Sequence, residues 1–193
     1  NLGTGPQGVT VANSTIAFNA IEGNTSSSAG LNIVKGEVTM RDSIIWGNYG
    51  TRENTTICPR CVSVQADGTL DVDYSIIEGG KDNADFVRAA SANLITWGAN
   101  MKVEDPLFAT PADFMTANLG FGPNSTTRFF YFKDTTDFSQ LDLHVKSPYG
   151  RYTGVEWVSV DTEKSPAIDA GDPSAEYANE PPSNGERVNM GFY

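Results

Sequence analysis

The sequence predicts an all-β fold, and within that class a solenoid of the β-helix kind. Three observations carry this. One eleven-residue pattern occurs three times, at 9–19, 38–48 and 70–80. Each copy opens with apolar and polar residues in alternation, the mark of a strand with one buried face. The 193 residues include 19 Gly and 10 Pro among many Asn, Ser and Thr, a composition that punctuates turns and disfavours long helices.

The copies start 29 and 32 positions apart (38 − 9 and 70 − 38). A period of roughly 20 to 50 residues signals a solenoid or array. In successive copies Val9 and Val11, Val38 and Met40, and Leu70 and Val72 face one way. A polar pair follows (Asn13-Ser14, Asp42-Ser43, Tyr74-Ser75), then a short apolar stretch ending in Gly or Asn. Two short strands about a corner, with no helix between, describe one coil of a β-helix. A leucine-rich repeat needs a Leu/Asn ladder that is absent, and a propeller blade needs four strands in about 40 residues. The rival is a sandwich of unrelated amphipathic strands, which has no need of three copies of one pattern. Ala29-Gly30-Leu31-Asn32-Ile33-Val34-Lys35-Gly36 supplies the remaining strand of a coil, with Leu31 and Ile33 inward. Stacked coils would align Val11, Met40 and Val72 in one interior column of parallel strands, and Ser14, Ser43 and Ser75 in a ladder at the corner.

Along the chain, 1–80 reads as β-helix coils with a projecting loop at 51–62. Residues 81–140 read as irregular coils with an insertion, Ile95-Thr96-Trp97-Gly98 being a degenerate strand. Short helical pieces are expected at 83–90 and 112–117. Residues 141–193 read as an irregular C-terminal cap. A solenoid needs an atypical end to cover its last layer, and a Pro-rich, Asp-rich tail cannot extend a sheet. The whole reads as one continuous domain and as a piece of a larger protein. The opening Asn1-Leu2-Gly3-Thr4-Gly5 has no basic start and no apolar stretch of a signal peptide, which says nothing against secretion.

With 13 Lys+Arg against 24 Asp+Glu, the net charge is −11. Such a surface repels phosphate, so nucleic acid and anionic membranes are poor partners. Divalent cations and neutral polyhydroxylated ligands stay open. No run approaches the ~18 apolar residues that would insert in a membrane.

Cys58-Pro59-Arg60-Cys61 holds both cysteines. Val62 rules out a haem-attachment motif, and four zinc ligands cannot be found. A disulfide pinning the 51–62 loop is the expectation, with free thiols as the alternative. His144 is the sole histidine; in Leu141-Asp142-Leu143-His144-Val145 it points outward with Asp142, as a solvated residue. Asp169, Asp172, Glu176 and Glu180, set among Gly and Pro, form the candidate calcium site, against a reading in which Asp169 and Asp172 cap turns. Arg41 beside Asp73 suggests an ion pair between coils. Arg128-Phe129-Phe130-Tyr131-Phe132 is the densest aromatic run. It is either core or cover, or else Phe129 and Tyr131 face a ligand such as a sugar. Sequons stand at Asn13, Asn24, Asn54 and Asn124; the last three are the glycosylation candidates, since a glycan on Asn13 would crowd a coil corner.

The segments Asn13-Ser14-Thr15-Ile16-Ala17-Phe18-Asn19 and Asp42-Ser43-Ile44-Ile45-Trp46-Gly47-Asn48 resemble coils of bacterial right-handed parallel β-helix repeat proteins of the pectate-lyase-like superfamily. Glu104-Asp105-Pro106-Leu107-Phe108, Asp142-Leu143-His144-Val145-Lys146-Ser147, Ser165-Pro166-Ala167-Ile168-Asp169-Ala170-Gly171-Asp172-Pro173 and Asn189-Met190-Gly191 resemble the closing region of choice-of-anchor-type secreted proteins. The resemblance spans nearly the whole chain apart from about 109–140. It implies a right-handed helix, secretion or a cell-surface location, and a chain that continues past Tyr193. It implies little about function. The aspartates that bind calcium in pectate lyases correspond to Asp71 and Asp73, but the preceding coils carry Thr39, Arg41, Thr10 and Ala12 there, so the lyase site does not carry over. The expected function is an extracellular structural or adhesive β-helix of a bacterial envelope, without catalysis and with no required cofactor. The alternative is a carbohydrate-binding protein or a polysaccharide lyase or hydrolase. Polysaccharide, other envelope proteins or further copies of the chain are the expected partners.

Overall fold

In the computed structural model, residues 8–21, 28–52, 56–121, 130–153, 155–178, 180 and 185–191 are described. In chain order the elements are β1 (Gly8–Ala12), β2 (Thr15–Ala17), β3 (Ala20–Ile21), β4 (Leu31–Arg41), β5 (Ile44–Trp46), β6 (Tyr49–Arg52), β7 (Thr56–Pro59), β8 (Val62–Asp73), β9 (Ile76–Ile77), β10 (Val87–Ala89) and β11 (Ile95–Trp97). Then come α1 (Phe114–Asn118), β12 (Leu119–Phe121), β13 (Phe130–Phe132), β14 (Arg151–Tyr152) and β15 (Trp157–Val158). The fold is mostly β.

Equivalent strands of the three copies pair in parallel. The first sheet runs β1-β4-β8, with β10 and β11 one after the other along the far edge of β8. The second sheet is β2-β5-β9. In the third, β3 lies parallel to β6. Val11 pairs with Met40, Met40 with Val72 and Val72 with Trp97, which is the interior column read from the pattern, extended by one strand. Met40 and Val72 are completely buried, and Leu70 nearly so.

The corners repeat as faithfully as the strands. Asn13, Asp42 and Tyr74 turn the chain after the first strand with φ of 46°, 50° and 47°. Phe18, Gly47 and Gly79 turn it after the second, with φ of 56°, 65° and 77°. Left-handed backbone is mildly disfavoured for Asn and Asp and strained for Tyr and Phe. Hydrogen bonds hold the first corner against that strain. Ser43 Oγ accepts from Ser14 N and Ser75 Oγ from Ser43 N, each at 3.2 Å. Each of Ser14, Ser43 and Ser75 donates its own hydroxyl to the carbonyl two residues back. At the second corner Asn48, wholly buried, donates to the Ile16 carbonyl at 2.8 Å and accepts from Asn19 N at 3.1 Å.

Several elements differ from their sequence readings. Residues 31–41 form one long strand rather than two, with a bulge between Ile33 and Lys35. The 51–62 loop contains an antiparallel hairpin of β6 and β7. No helix forms over 83–90: a turn leads into β10, whose pairing with Val62–Val64 of β8 outweighs local helix preference. The helix expected at 112–117 is α1, and the degenerate strand is β11.

Part of the tail packs against the outward face of the second sheet. Adjacent residues of a strand face opposite ways. Ile45 and Ile77 enter the core beneath the first sheet, while Ile44 and Ile76 point out of the second sheet. Phe108, Val145, Ala167 and Met190 cover them. Gly191 N donates to the Asp42 carbonyl and Asp172 N to Asp42 Oδ1. Val145, Ala167, Asp172 and Met190 of the tail thus lie on the outer flank of the repeats. The reason is apolar area: two fully buried isoleucines on that flank contribute roughly 1.5–3 kcal/mol each.

Candidate functional site

The structure does not assemble the candidate calcium site. Asp169 pairs with Lys164 at 3.0 Å, Asp172 accepts from Ser174 N and Oγ, and Glu180 accepts from Asn189 N and Nδ2. Glu176 is exposed. Asp169 is thus an ion-pair partner, Asp172 a turn acceptor and Glu180 a strap acceptor, and among the described residues no three His, Cys, Asp or Glu side chains gather as a metal would need. The turn-capping reading of Asp172 holds, as an Asx turn.

The Cys58–Cys61 disulfide is not formed in the structure. Both thiols are free and buried, and they diverge, Cys58 Sγ toward the Gly50 carbonyl and Cys61 Sγ toward Glu78 Oε2. Cys58 belongs to the β6–β7 hairpin whereas Cys61 enters the core ahead of β8, so the two point into different surroundings. Burial, and next the Glu78 carboxylate, push the Cys61 thiol far above its ordinary value. Such a thiol is inert as a nucleophile.

Glu78 itself is an interior acid. It accepts from Gly47 N at 2.7 Å across the second sheet. Burial raises its carboxyl above the usual range; the Gly47 N–H and the Cys61 thiol oppose this, and Asp105 adds to it. Asp42 behaves likewise, raised by burial against the Asp172 N–H.

Arg41 pairs with Asp71 at 2.6 Å rather than with Asp73, although Asp73 is its register partner. Asp73 instead accepts from Tyr74 N and from Asn100 N and Nδ2. The outward column of the first sheet is Thr10, Thr39, Asp71 and Thr96. Its polarity is hydroxylic, with a single ion pair. Beside it, an open cleft of about 710 Å³ lies where β10 and β11 leave β8, lined by Ser63, Gln65, Lys81, Arg88, Ile95 and Trp97 among others.

His144 is not the solvated residue that alternation implies. Only Val145 of 141–145 joins a β-bridge, to Phe108, and the segment is otherwise irregular. Asp142 Oδ1 accepts from His144 N at 3.0 Å and lies 2.6 Å from His144 Nδ1. Arg151 donates from Nη1 to Asp142 Oδ2 at 2.6 Å and from Nε to Asp161 Oδ2 at 2.9 Å. The Arg151 and Asp161 side chains are only 15% and 8% exposed. Burial works to raise the Asp142 carboxyl, but the His144 N–H and ring, with Arg151, hold it below the ordinary range. This network was missed in sequence because Asp142, Arg151 and Asp161 are 9 to 19 residues apart; only the Asx-turn spacing of Asp142 and His144 was a local signal.

Of the aromatic run, Phe132 covers other rings, its centroid 5.1 Å from that of Phe138. Phe129 and the Tyr131 side chain lie outside the described residues, as do Asn24, Asn54 and Asn124. Asn13 sits at its corner, exposed. No described helix is long and apolar enough to cross a membrane. Compared with protein-family models, curated proteins and solved structures, the chain finds no match.

Proposed function

We propose that this chain is an extracellular structural or adhesive scaffold of a bacterial cell envelope, folded as a right-handed parallel β-helix of the pectate-lyase-like kind, with no catalysis of its own. The supporting observation is the in-register run of side chains across successive parallel strands, with its serine hydrogen bonds at the corner. A backbone ladder of this kind makes a stiff body that holds loops at fixed spacing. The outward column of Thr10, Thr39, Asp71 and Thr96 carries no cluster of acids with arginine of the sort a lyase needs to neutralise a uronate and abstract a proton. Other envelope proteins, polysaccharide or further copies are the partners of such a scaffold, and calcium is not required for it.

Two measurements test this reading. Antibody against the chain should label intact producing cells; label only after lysis removes the envelope role. Assays on pectin, alginate and neutral glycans with added calcium should show neither unsaturated products nor new reducing ends. Turnover abolished by one acidic substitution would put the lyase or hydrolase reading first.

A further inference from the structure

Among the described residues, five large exposed hydrophobic side chains fall within the twelve positions 149–160: Tyr149, Tyr152, Val155, Trp157 and Val160. Tyr149, Tyr152 and Trp157 are 69%, 47% and 53% exposed. The β14–β15 hairpin explains how they are presented. Tyr152 pairs across the hairpin with Trp157, so the two rings share one face. Arg151 and Val158 pair on the other face, where Arg151 is clamped between Asp142 and Asp161. At Gly150, φ is +107°, and the Trp157 indole occupies the space that a Cβ there would need. Only glycine meets both conditions. The Lys164 ammonium stands 5.9 Å from the Tyr149 ring centroid and steadies that ring. Thr153 N donates to the Glu156 carbonyl at 2.9 Å and closes the turn. A two-stranded hairpin is marginal alone; the buried Arg151 clamp is what makes this one a rigid mount for outward aromatics.

We infer that the Tyr152–Trp157 face, flanked by Tyr149, is a binding platform for neutral pyranose glycans. The inference deepens the scaffold reading above, and rests on it, by naming what the scaffold engages. Clustered exposed rings mark an interaction site. The three rings offer roughly half of the ~800 Å² that one partner contributes to a standard protein interface. Exposed rings of that area suit a few sugar residues, whose C–H faces stack on rings while hydroxyls reach nearby polar groups such as Glu156 and the tyrosine hydroxyls. Charge selects against anionic ligands. Lys146 is paired with Glu163, Lys164 beside Tyr149 with Asp169, Arg151 with two aspartates, and the chain carries a net charge of −11.

The test uses the full chain in native gels containing hydroxyethyl cellulose, xylan, galactomannan or dextran. Retardation by at least one polymer is expected, weakened at least about tenfold in Trp157→Ala and Tyr152→Ala, the scale of losing one stacking ring. Trp157→Phe should keep most of the retention. Val34→Ala, at an exposed position on β4, should keep all of it. Thermal melts identify a variant that fails to fold; Tyr152→Ala then decides, since its ring is not the one packed against Gly150. Absence of retardation by all four polymers, or retention indifferent to both ring removals, overturns the platform. So does Trp157-dependent self-association in ultracentrifugation, or Trp157-dependent co-sedimentation with phosphatidylcholine vesicles. Failure in the gels with normal surface labelling of cells leaves the scaffold reading standing. Loss of labelling with intact glycan retention removes the envelope role alone.

Discussion

The repeats and the flank that covers them hold their backbone in different ways. In the repeats, equivalent strand and corner positions are stabilised by their counterparts one copy away: Val11 under Met40 under Val72, Ser14 on Ser43 on Ser75. Among the described residues of 103–191, several turns are held by an acid of their own. Asp105 accepts from Leu107 N, Asp137 from Ser139, Asp142 from His144 and Arg151, and Asp172 from Ser174. Cooperativity follows from the first arrangement, because losing one layer exposes the next. Local independence follows from the second, because each acid serves a few residues. The carboxylates of the two regions differ in what shifts them. Within the repeats Glu78 and Asp42 are raised by burial, whereas Asp73 is held low, against its burial, by hydrogen bonds from Asn100 and Tyr74. Asp137 is held low by the Ser139 hydroxyl, Asp172 by the Ser174 hydroxyl, and Asp142 by His144 and Arg151 acting against its burial.

The largest effect should come from Val72→Asp. Val72 is fully buried at the centre of the interior column, and an unpaired carboxylate there costs roughly 4 kcal/mol or more. Urea unfolding should lose its cooperative transition for the whole chain. An unchanged urea midpoint in that variant would break the claim that this column holds the repeats together.

A smaller and more local loss is expected for Arg151→Ala. It leaves Asp142 and the well-buried Asp161 without their shared cation, a cost of about 2 kcal/mol for a partly buried pair. Backbone amides of 142–161 should exchange faster with solvent, while those of Met40 and Val72 keep their protection. Equal loss of protection in both sets would show the flank and the repeats to be one cooperative body.

The smallest effect separates the two kinds of acid by pH. For Glu78 the ordinary value is 4.5 and burial raises it. As pH rises above 4.5, the unfolded chain releases this proton before the folded one does, so stability falls until Glu78 has ionised in the fold as well. Asp142 has the opposite sign. As pH falls below 3.8, the unfolded chain takes up its proton first and stability is lost until the folded carboxyl is also protonated. Glu78→Gln should therefore raise the urea midpoint at pH 7 slightly and leave it unchanged near pH 3. Asp142→Asn should lower it at pH 7 and converge with the unsubstituted chain at the acid end. The same sign for both substitutions at pH 7 would erase the distinction.

Legibility in the sequence divides along the same boundary. The repeats announce themselves because a layer imposes its side-chain type on the next, so Val11, Met40, Val72 and Ser14, Ser43, Ser75 could be aligned by eye and the parallel register read from them. The hairpin of β6 and β7 was hidden because it interrupts that rhythm. The flank had no period to read. Asp142 and Arg151 meet through a fold of the chain, and the Asx-turn spacing of Asp142 and His144 is the one local mark of it within an otherwise strand-like alternation.

The sequence by itself determined the all-β character of the chain, the parallel pairing of its three copies, the interior column and the corner serines, because neighbouring layers in such an arrangement are near-copies and local pattern carries the long-range contact. Tertiary structure alone decided that Ile44 and Ile76 would be covered by the tail and that His144 would be drawn into an ion network. It also decided that Cys58 and Cys61 would face different surroundings and that Tyr152 and Trp157 would stand side by side. Those contacts join residues of unlike type at irregular separations. Only packing, which must satisfy buried apolar area and buried charge at once, selects among the many partners that 24 acids and 13 bases allow.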